Sequence, residues 1–180
     1  MADGTLKVGT ITTSSGSGTI TIPDAVTVSS ASLSNAPAFF AYPSSSQTAT
    51  HNTSVKILFQ TESYDTNSAF ADSKFTVPSG QAGKYYIYAS VFGEAAANAT
   101  LESNRVMIYI NGTQYFYNTN DFRTNQIRGF TSTVSSSFDL SVGDYVEIYN
   151  YFYSSASANG SYGSGNQQGT YFGAYKLLGI

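Results

Sequence analysis

The chain has 180 residues, of which only 11% are charged, and its formal net charge is −3. Because its Lys and Arg residues form no basic stripe, the sequence argues against a nucleic-acid partner. Cysteine is absent, which excludes disulfides and thiolate metal sites. No apolar run approaches the roughly 18 residues of a spanning helix, so neither membrane insertion nor a Sec signal peptide is expected.

The first 36 residues differ in composition from the rest, being rich in Thr, Ser and Gly and free of aromatic side chains. Two short alternating stretches flank the Ser/Gly-rich residues 14–18, which favours a loose hairpin or extended arm. We expect this N-terminal arm to attach the protein to an assembly; a flexible low-complexity tail is the alternative. The predicted attachment residues are Leu6, Val8, Ile11, Ile20 and Ile22.

From residue 37 to residue 180, β-branched and aromatic runs alternate with turn residues, which predicts an antiparallel sandwich or barrel and an all-β fold. Asn111-Gly112 is the strongest hairpin signal, because both central residues of a type I′ turn need positive φ. The predicted strands lie near residues 39–42, 54–60, 74–77, 84–92, 105–110, 113–117, 128–138, 144–153 and 169–178.

Two of the predicted strands are apolar or aromatic on both faces, namely residues 84–92 and 144–153. A sheet with one wet face should alternate apolar with polar residues, so the second face is expected to meet another sheet or another subunit. A tyrosine-rich face in contact with solvent is the alternative. The residues predicted to form a subunit interface are Phe39, Tyr86, Tyr88, Phe92, Tyr149, Tyr151 and Tyr171.

Residues 151–171 carry tyrosines among Ser, Gly and Asn and contain no charged residue. Tyrosine supplies broad contact area with few rotors, and small polar residues supply adaptable hydrogen bonds, so this mixture suits a binding loop. Aromatic rings beside amides also suit sugars, while a flexible Gly/Ser connection is the alternative. The predicted ligand-binding residues are Tyr153, Asn159, Tyr162, Asn166 and Gln167.

No catalytic residue, cofactor or metal is predicted. His51 is the only histidine, and no Gly-x-Ser-x-Gly elbow is present, so neither a zinc site nor a serine nucleophile is expected. Asp65 and Asn67 resemble the start of a calcium loop, but Thr76 stands where the bidentate acid is required. Glu62, Asp65 and Asp72 could meet between subunits, although ordinary loop solvation is the simpler interpretation.

Several segments together resemble the C1q-like domains, which share the jelly roll of the tumour necrosis factor superfamily. The resemblance implies an antiparallel jelly-roll sandwich over residues 37–180, an obligate homotrimer with aromatic residues packed about its axis, and no enzymatic activity. The matching segments are Pro37-Ala38-Phe39-Phe40-Ala41, Val55-Lys56-Ile57-Leu58-Phe59, Tyr64-Asp65 through Ala69-Phe70, Phe75-Thr76-Val77-Pro78 followed by Ala82-Gly83-Lys84-Tyr85-Tyr86-Ile87, Ile110-Asn111-Gly112, Leu140 with Gly143-Asp144-Tyr145-Val146, and Tyr171-Phe172-Gly173-Ala174-Tyr175-Lys176-Leu177.

A second resemblance concerns the arm. Gly4-Thr5-Leu6-Lys7-Val8 and Thr19-Ile20-Thr21-Ile22-Pro23 are similar to the openings of tail-fibre and structural proteins of bacteriophages. It implies a virion protein, assembled in the host cytoplasm and exposed on the particle, whose arm contacts other virion proteins and whose head binds a host-surface glycan or protein. A capsid or baseplate decoration protein without a receptor, and a free lectin-like module, are the alternatives.

Overall fold

Two antiparallel sheets pack face to face in this computed structural model, which describes residues 35–163 and 169–178. Within these ranges there is no helix, so the all-β prediction is confirmed. The strands are β1 (Ala38–Tyr42), β2 (Gln47–Ala49), β3 (Thr53–Lys56), β4 (Thr61–Asp65), β5 (Phe70–Ala71), β6 (Lys74–Thr76), β7 (Gly83–Ala95), β8 (Leu101–Ile110), β9 (Thr113–Asp121), β10 (Gly129–Leu140), β11 (Tyr145–Ser154), β12 (Gly160–Tyr162) and β13 (Tyr171–Lys176).

The first sheet, called sheet A, has the order β2-β12-β7-β13-β1-β4, and β10 lies along the other edge of β7. The second, called sheet B, has the order β5-β6-β11-β8-β9. Strands β10 and β9 therefore lie on the same side of the sandwich, each at the edge of its sheet. Strand β3 runs beside β11, to which the amide of Ile57 donates a hydrogen bond at the Ile148 carbonyl (2.8 Å).

The core consists of the inward-facing residues of both sheets. Phe39 is 0% exposed, and its ring centroid lies 4.5 Å from that of Phe70, 5.3 Å from that of Phe75 and 4.8 Å from that of Phe172. Burial of each such ring contributes roughly 1.5–3 kcal/mol. These four rings join β1, β5, β6 and β13, so they fasten the two sheets to each other at one end.

The hairpin predicted at Asn111-Gly112 is confirmed. Both residues have positive φ, 51° and 76°, and they join β8 to β9. The Asn111 side chain also donates to a carboxylate oxygen of Asp144 (2.7 Å) and accepts from the Tyr145 amide (2.9 Å). The turn is thereby tied to the start of β11, which sets the register of three neighbouring strands in sheet B.

The arm predicted over residues 1–36 lies outside the described residues except for its last two positions, so the division at residue 36 stays a prediction. The carbonyl of Asn35 accepts a hydrogen bond from the amide of Lys176 (3.1 Å). Asn35, the first described residue, thus lies beside the last strand, β13.

Candidate binding surfaces

The structure does not bring the seven predicted interface residues together. Phe39 lies in the core and is not part of any surface. Strand β1 alternates, so Phe39 and Ala41 are buried whereas Phe40 lies on the outer face. Four of the residues lie on the outer face of sheet A, namely Tyr86, Tyr88, Phe92 and Tyr171. The remaining two, Tyr149 and Tyr151, lie on the opposite surface of the sandwich, the outer face of sheet B.

Six aromatic rings form a continuous cluster on the outer face of sheet A, called the sheet A cluster. Phe40 lies 5.6 Å from Tyr171 and 6.3 Å from Tyr64, while Tyr86 lies 5.5 Å from Tyr175 and 6.0 Å from Tyr88, measured between ring centroids. None of the six is an acidic or basic residue. The members are Phe40, Tyr64, Tyr86, Tyr88, Tyr171 and Tyr175.

Tyr88 is at the centre of this cluster, where it lies across Gly173 of the neighbouring strand. A Cβ atom at Gly173 would stand 2.3 Å from the Tyr88 hydroxyl, so only glycine leaves room for the ring in this position. Burial, followed by a hydrogen bond with Tyr64 and the nearby phenols, raises the pKa of Tyr88 well above its ordinary value of 10.0. The phenol is therefore uncharged throughout the physiological range.

A second aromatic patch, called the edge patch, lies on the side of the sandwich formed by β9 and β10. Tyr115 and Phe116 are 59% and 49% exposed, and both pack edge-on against Phe138 at centroid distances of 6.3 and 5.7 Å. The edge patch is separate from the sheet A cluster because Phe138 pairs with the inward-facing Tyr85 and not with Tyr86 or Tyr88.

The outer face of sheet B mixes aromatic with charged residues. The guanidinium of Arg105 lies 5.2 Å from the ring centroid of Tyr117 and 5.6 Å from that of Tyr151, while Lys74 lies 5.1 Å from that of Tyr145. Cations over aromatic faces are attracted by the ring quadrupole. The tyrosines of this face are therefore covered in part by charged groups of the same chain.

At one end of this face lies a groove of about 400 Å³, called the sheet B groove. Nε of Arg123 donates to both carboxylate oxygens of Asp121 at 3.0 Å, and its Nη2 and its backbone amide (3.0 Å) donate to the same carboxylate. These hydrogen bonds, together with the positive charge, lower the pKa of Asp121 to about 2. The charged and aromatic residues that line the groove are Glu102, Arg105, Asp121, Arg123, Tyr151 and Tyr153.

The predicted ligand-binding loop is only partly a surface. Tyr162 is 1% exposed and its hydroxyl donates to the carbonyl of Asn150 (3.1 Å), so its side chain belongs to the core and is not available to a ligand. Asn159 is exposed and accepts a hydrogen bond from the His51 amide (2.9 Å). Tyr153 lines the sheet B groove, whereas Asn166 and Gln167 lie outside the described residues.

Sequence reasoning missed the charged half of the groove. Arg105 pairs with Thr119 of β9 and with Tyr151 of β11, and Ser103 pairs with Asp121 and Tyr153. The Asn111-Gly112 hairpin could have indicated which residues of β8 and β9 face each other. A register shift after Ile108 moves that pairing by one residue, however, and nothing in the sequence marks it.

His51 and Asp65 have structural partners. The Nδ1 atom of His51 accepts a hydrogen bond from the Ser154 amide (3.2 Å), and its ring lies 4.7 Å from that of Tyr153. Asp65 accepts from the amides of Asn67, Ala69 and Phe70 at 3.3, 3.0 and 2.9 Å. This carboxylate stabilises the turn between β4 and β5, which accounts for the pattern that resembles a calcium loop.

Among residues 35–163 and 169–178, no group of three or more His, Asp and Glu side chains is placed to hold a metal ion. The same part of the chain contains no helix of the length and hydropathy needed to cross a membrane.

Solved structures with the same architecture include murine APRIL, at 13% identity and a TM-score of 0.57, covering 78% of this chain and 98% of that chain. The globular domain of the zebrafish complement 1qA protein is similar at 15% identity and a TM-score of 0.55, with coverages of 80% and 99%. The fold is a TNF/C1q-like jelly roll. A TNF from S. frugiperda, Eiger, matches at 11% identity, a TM-score of 0.55 and coverages of 79% and 93%.

No family model and no curated protein matches the sequence. The jelly-roll similarity predicted from the sequence is confirmed, and at these identities it concerns the fold alone.

Proposed function

We propose that this chain is a non-enzymatic structural protein of a bacteriophage particle whose jelly-roll head forms a homotrimer and binds the host surface. The N-terminal arm attaches the head to other virion proteins, so the protein is exposed on the particle in a tail fibre, baseplate or head appendage. The observation that carries the trimer is the sheet A cluster, an uncharged surface of six aromatic rings on a chain with few charges.

An aromatic surface of this kind favours contact with protein. Large exposed apolar patches are uncommon on monomeric proteins, and tyrosine and phenylalanine are enriched in the cores of interfaces. The half-buried Tyr86, Tyr88 and Tyr171 would gain further burial from a partner without placing any charge in an apolar environment.

Two separate patches favour a ring over a two-fold dimer. An isologous dimer uses one patch twice, whereas a heterologous contact joins two different patches and forms a cyclic assembly when its rotation closes. The sheet A cluster and the edge patch of Tyr115, Phe116 and Phe138 supply such a pair on one chain. The C1q-like resemblance in the sequence implies three subunits in that ring.

The oligomer is tested with one substitution on each face. Tyr88→Lys places a charge in the middle of the sheet A cluster, and we expect it to shift the mass in solution from trimer to monomer. Tyr149→Lys is the matched control, since Tyr149 occupies the central strand of sheet B, where its ring lies 4.3 Å from that of Tyr109. If sedimentation equilibrium shows that the wild type is a monomer at micromolar concentration, the proposed trimer is wrong.

The virion role is supported by the bacteriophage-like segments of the arm and is tested on particles. A chain lacking residues 2–36 is expected to remain a soluble trimer while no longer joining phage particles assembled in its presence. Incorporation that is unchanged by the deletion would rule out the arm as the anchor. Incorporation of the wild type without any binding to host cells would favour the decoration protein instead.

A further inference from the structure

The sheet B groove contains two aromatic surfaces that are already held in place. Tyr151 and Tyr153 alternate with buried residues on β11, so both rings face outward, about 7 Å apart along the strand. The Tyr151 hydroxyl donates to the side-chain oxygen of Asn52 (2.7 Å), and the ring of Tyr153 contacts His51. Ordering these rings on binding therefore costs little.

The groove also offers a fixed donor group. Nε of Arg105 donates to the hydroxyl of Thr119 (2.7 Å), and the guanidinium is held between the rings of Tyr117 and Tyr151. Within the described part of the chain its two terminal nitrogens make no hydrogen bond. A guanidinium can only donate, so these nitrogens suit a ligand oxygen.

Acceptors stand beside this donor. Asp121 is held by Arg123, and Glu102 accepts from the side-chain amide of Gln126 (2.7 Å). Each carboxylate has about four acceptor positions, of which Arg123 uses most on Asp121 and Gln126 uses one on Glu102, so Glu102 retains the greater capacity for a ligand. With Arg105 and Arg123 the four charged groups sum to zero.

From this combination we infer that the sheet B groove binds a neutral carbohydrate. A hydroxyl group both donates and accepts, so neighbouring hydroxyls of one sugar can satisfy the arginine and the carboxylates together. An anionic ligand would meet Asp121 and Glu102, and a cationic one would meet both arginines. The C–H surface of a sugar ring packs on an aromatic face, whose quadrupole is negative there.

This inference rests on the proposed host-surface binding and names the ligand class and the place. It moves the contact from the loop between β11 and β13 to the outer face of sheet B. Tyr153 belongs to both, while Tyr151 is removed from the proposed trimer interface.

The test is an array of neutral, anionic and cationic oligosaccharides probed with the full chain, followed by NMR titration with the best neutral oligosaccharide. We expect binding to neutral members, with shift changes at Arg105, Asp121 and Tyr153. Tyr153→Ala and Asp121→Asn should each weaken binding at least about tenfold, equivalent to about 1.4 kcal/mol. Val142→Ala, in the exposed turn that precedes β11 at the end of the strand opposite to the groove, is the control expected to leave binding unchanged.

The outcomes distinguish failure of the groove as the binding site from failure of host-surface binding as the function. Binding to whole bacterial cells that persists in Tyr153→Ala and Asp121→Asn, or an array that responds only to charged glycans, would overturn the groove while leaving host binding intact. Absence of binding to a panel of cells and to the array would overturn both. If a variant unfolds, the shift map of the wild type still decides, since changes confined to residues 155–163 would contradict the groove.

Discussion

The two outer faces of this sandwich have similar strands but different surfaces. In β7 and β11, aromatic residues alternate with buried ones in the same way. On sheet A the outward rings contact one another and form a cluster without charge. On sheet B, Tyr149 contacts Tyr109, but other outward rings contact cations of neighbouring strands, as Tyr151 contacts Arg105 and Tyr145 contacts Lys74.

The difference shows that aromatic alternation alone does not identify an interface. The residue on the adjacent strand determines what surrounds each ring, because cross-strand neighbours on one face lie within side-chain reach. Tyr88 has Gly173 opposite it and gains an aromatic neighbourhood, whereas Tyr151 has Arg105 opposite it and gains a charge. The first face favours a protein partner, and the second favours a polar ligand.

The largest expected effect comes from comparing substitutions at two adjacent residues of β1, one in the core and one on the outer face of sheet A. Phe39→Ala removes a ring packed against three other phenylalanines, and we expect a loss of about 3–5 kcal/mol in the free energy of unfolding. Phe40→Ala, on the sheet A cluster, should cost clearly less within one subunit. Urea unfolding measured over a range of protein concentrations checks both.

The dependence of the unfolding free energy on protein concentration distinguishes the two substitutions. We expect the loss in Phe39→Ala to be the same at every concentration, and the Phe40→Ala variant to show weaker concentration dependence than the wild type. Equal losses from both substitutions, with no dependence on concentration, would contradict the division of β1 into a core face and an interface face.

Much of the fold could be predicted from the sequence, because long strands with β-branched and aromatic residues and the Asn111-Gly112 turn carry strong local signals. The strands β2, β4, β5 and β12 were not predicted, since they are short and, as in β4, largely exposed. The strand predicted near residues 54–60 is longer than β3, which ends at Lys56, so residues 57–60 lie outside it. They nonetheless bury Ile57 and Phe59, which explains why their pattern suggested a strand.

The surfaces were less predictable. The sequence predicts which residues of β7 and β11 share a face, but the register that places a glycine beside one tyrosine and an arginine beside another is a tertiary property. The burial of Tyr162 likewise depends on β12 pairing with both β2 and β7. A tyrosine in a Ser/Gly-rich segment gives no local sign of that pairing.

A smaller effect tests whether charge keeps the sheet B face distinct. Arg105→Met keeps much of the side-chain volume but removes the cation between Tyr117 and Tyr151, and we expect a loss of about 1 kcal/mol in unfolding free energy. The unfolding free energy of Arg105→Lys should lie between those of Arg105→Met and the wild type, because lysine keeps the charge but loses the planar contact. Urea unfolding and sedimentation measure the stability and any new self-association. Unchanged stability in Arg105→Met would show that these tyrosines do not depend on the cation.

The smallest expected effect concerns the charged pair at the end of the sheet B groove. Because Arg123 holds the pKa of Asp121 at about 2, Arg123→Gln should raise it toward the ordinary 3.8, as followed by carboxyl carbon NMR shifts. A carboxyl whose pKa is lowered by folding stabilises the folded state above its unfolded pKa, and that contribution is lost as the pH falls from about 4 to 2. The pair is exposed, so high salt should reduce the pKa shift of Asp121.

The control is Arg128→Gln, which removes a cation paired with Glu94 and should leave the pKa of Asp121 at about 2. A pKa that stays near 2 in Arg123→Gln would mean that another group, with Arg105 the nearest candidate, supplies the positive charge. In either case, pH and salt should act on the groove and leave association through the uncharged sheet A cluster unchanged, which separates the two faces without any substitution.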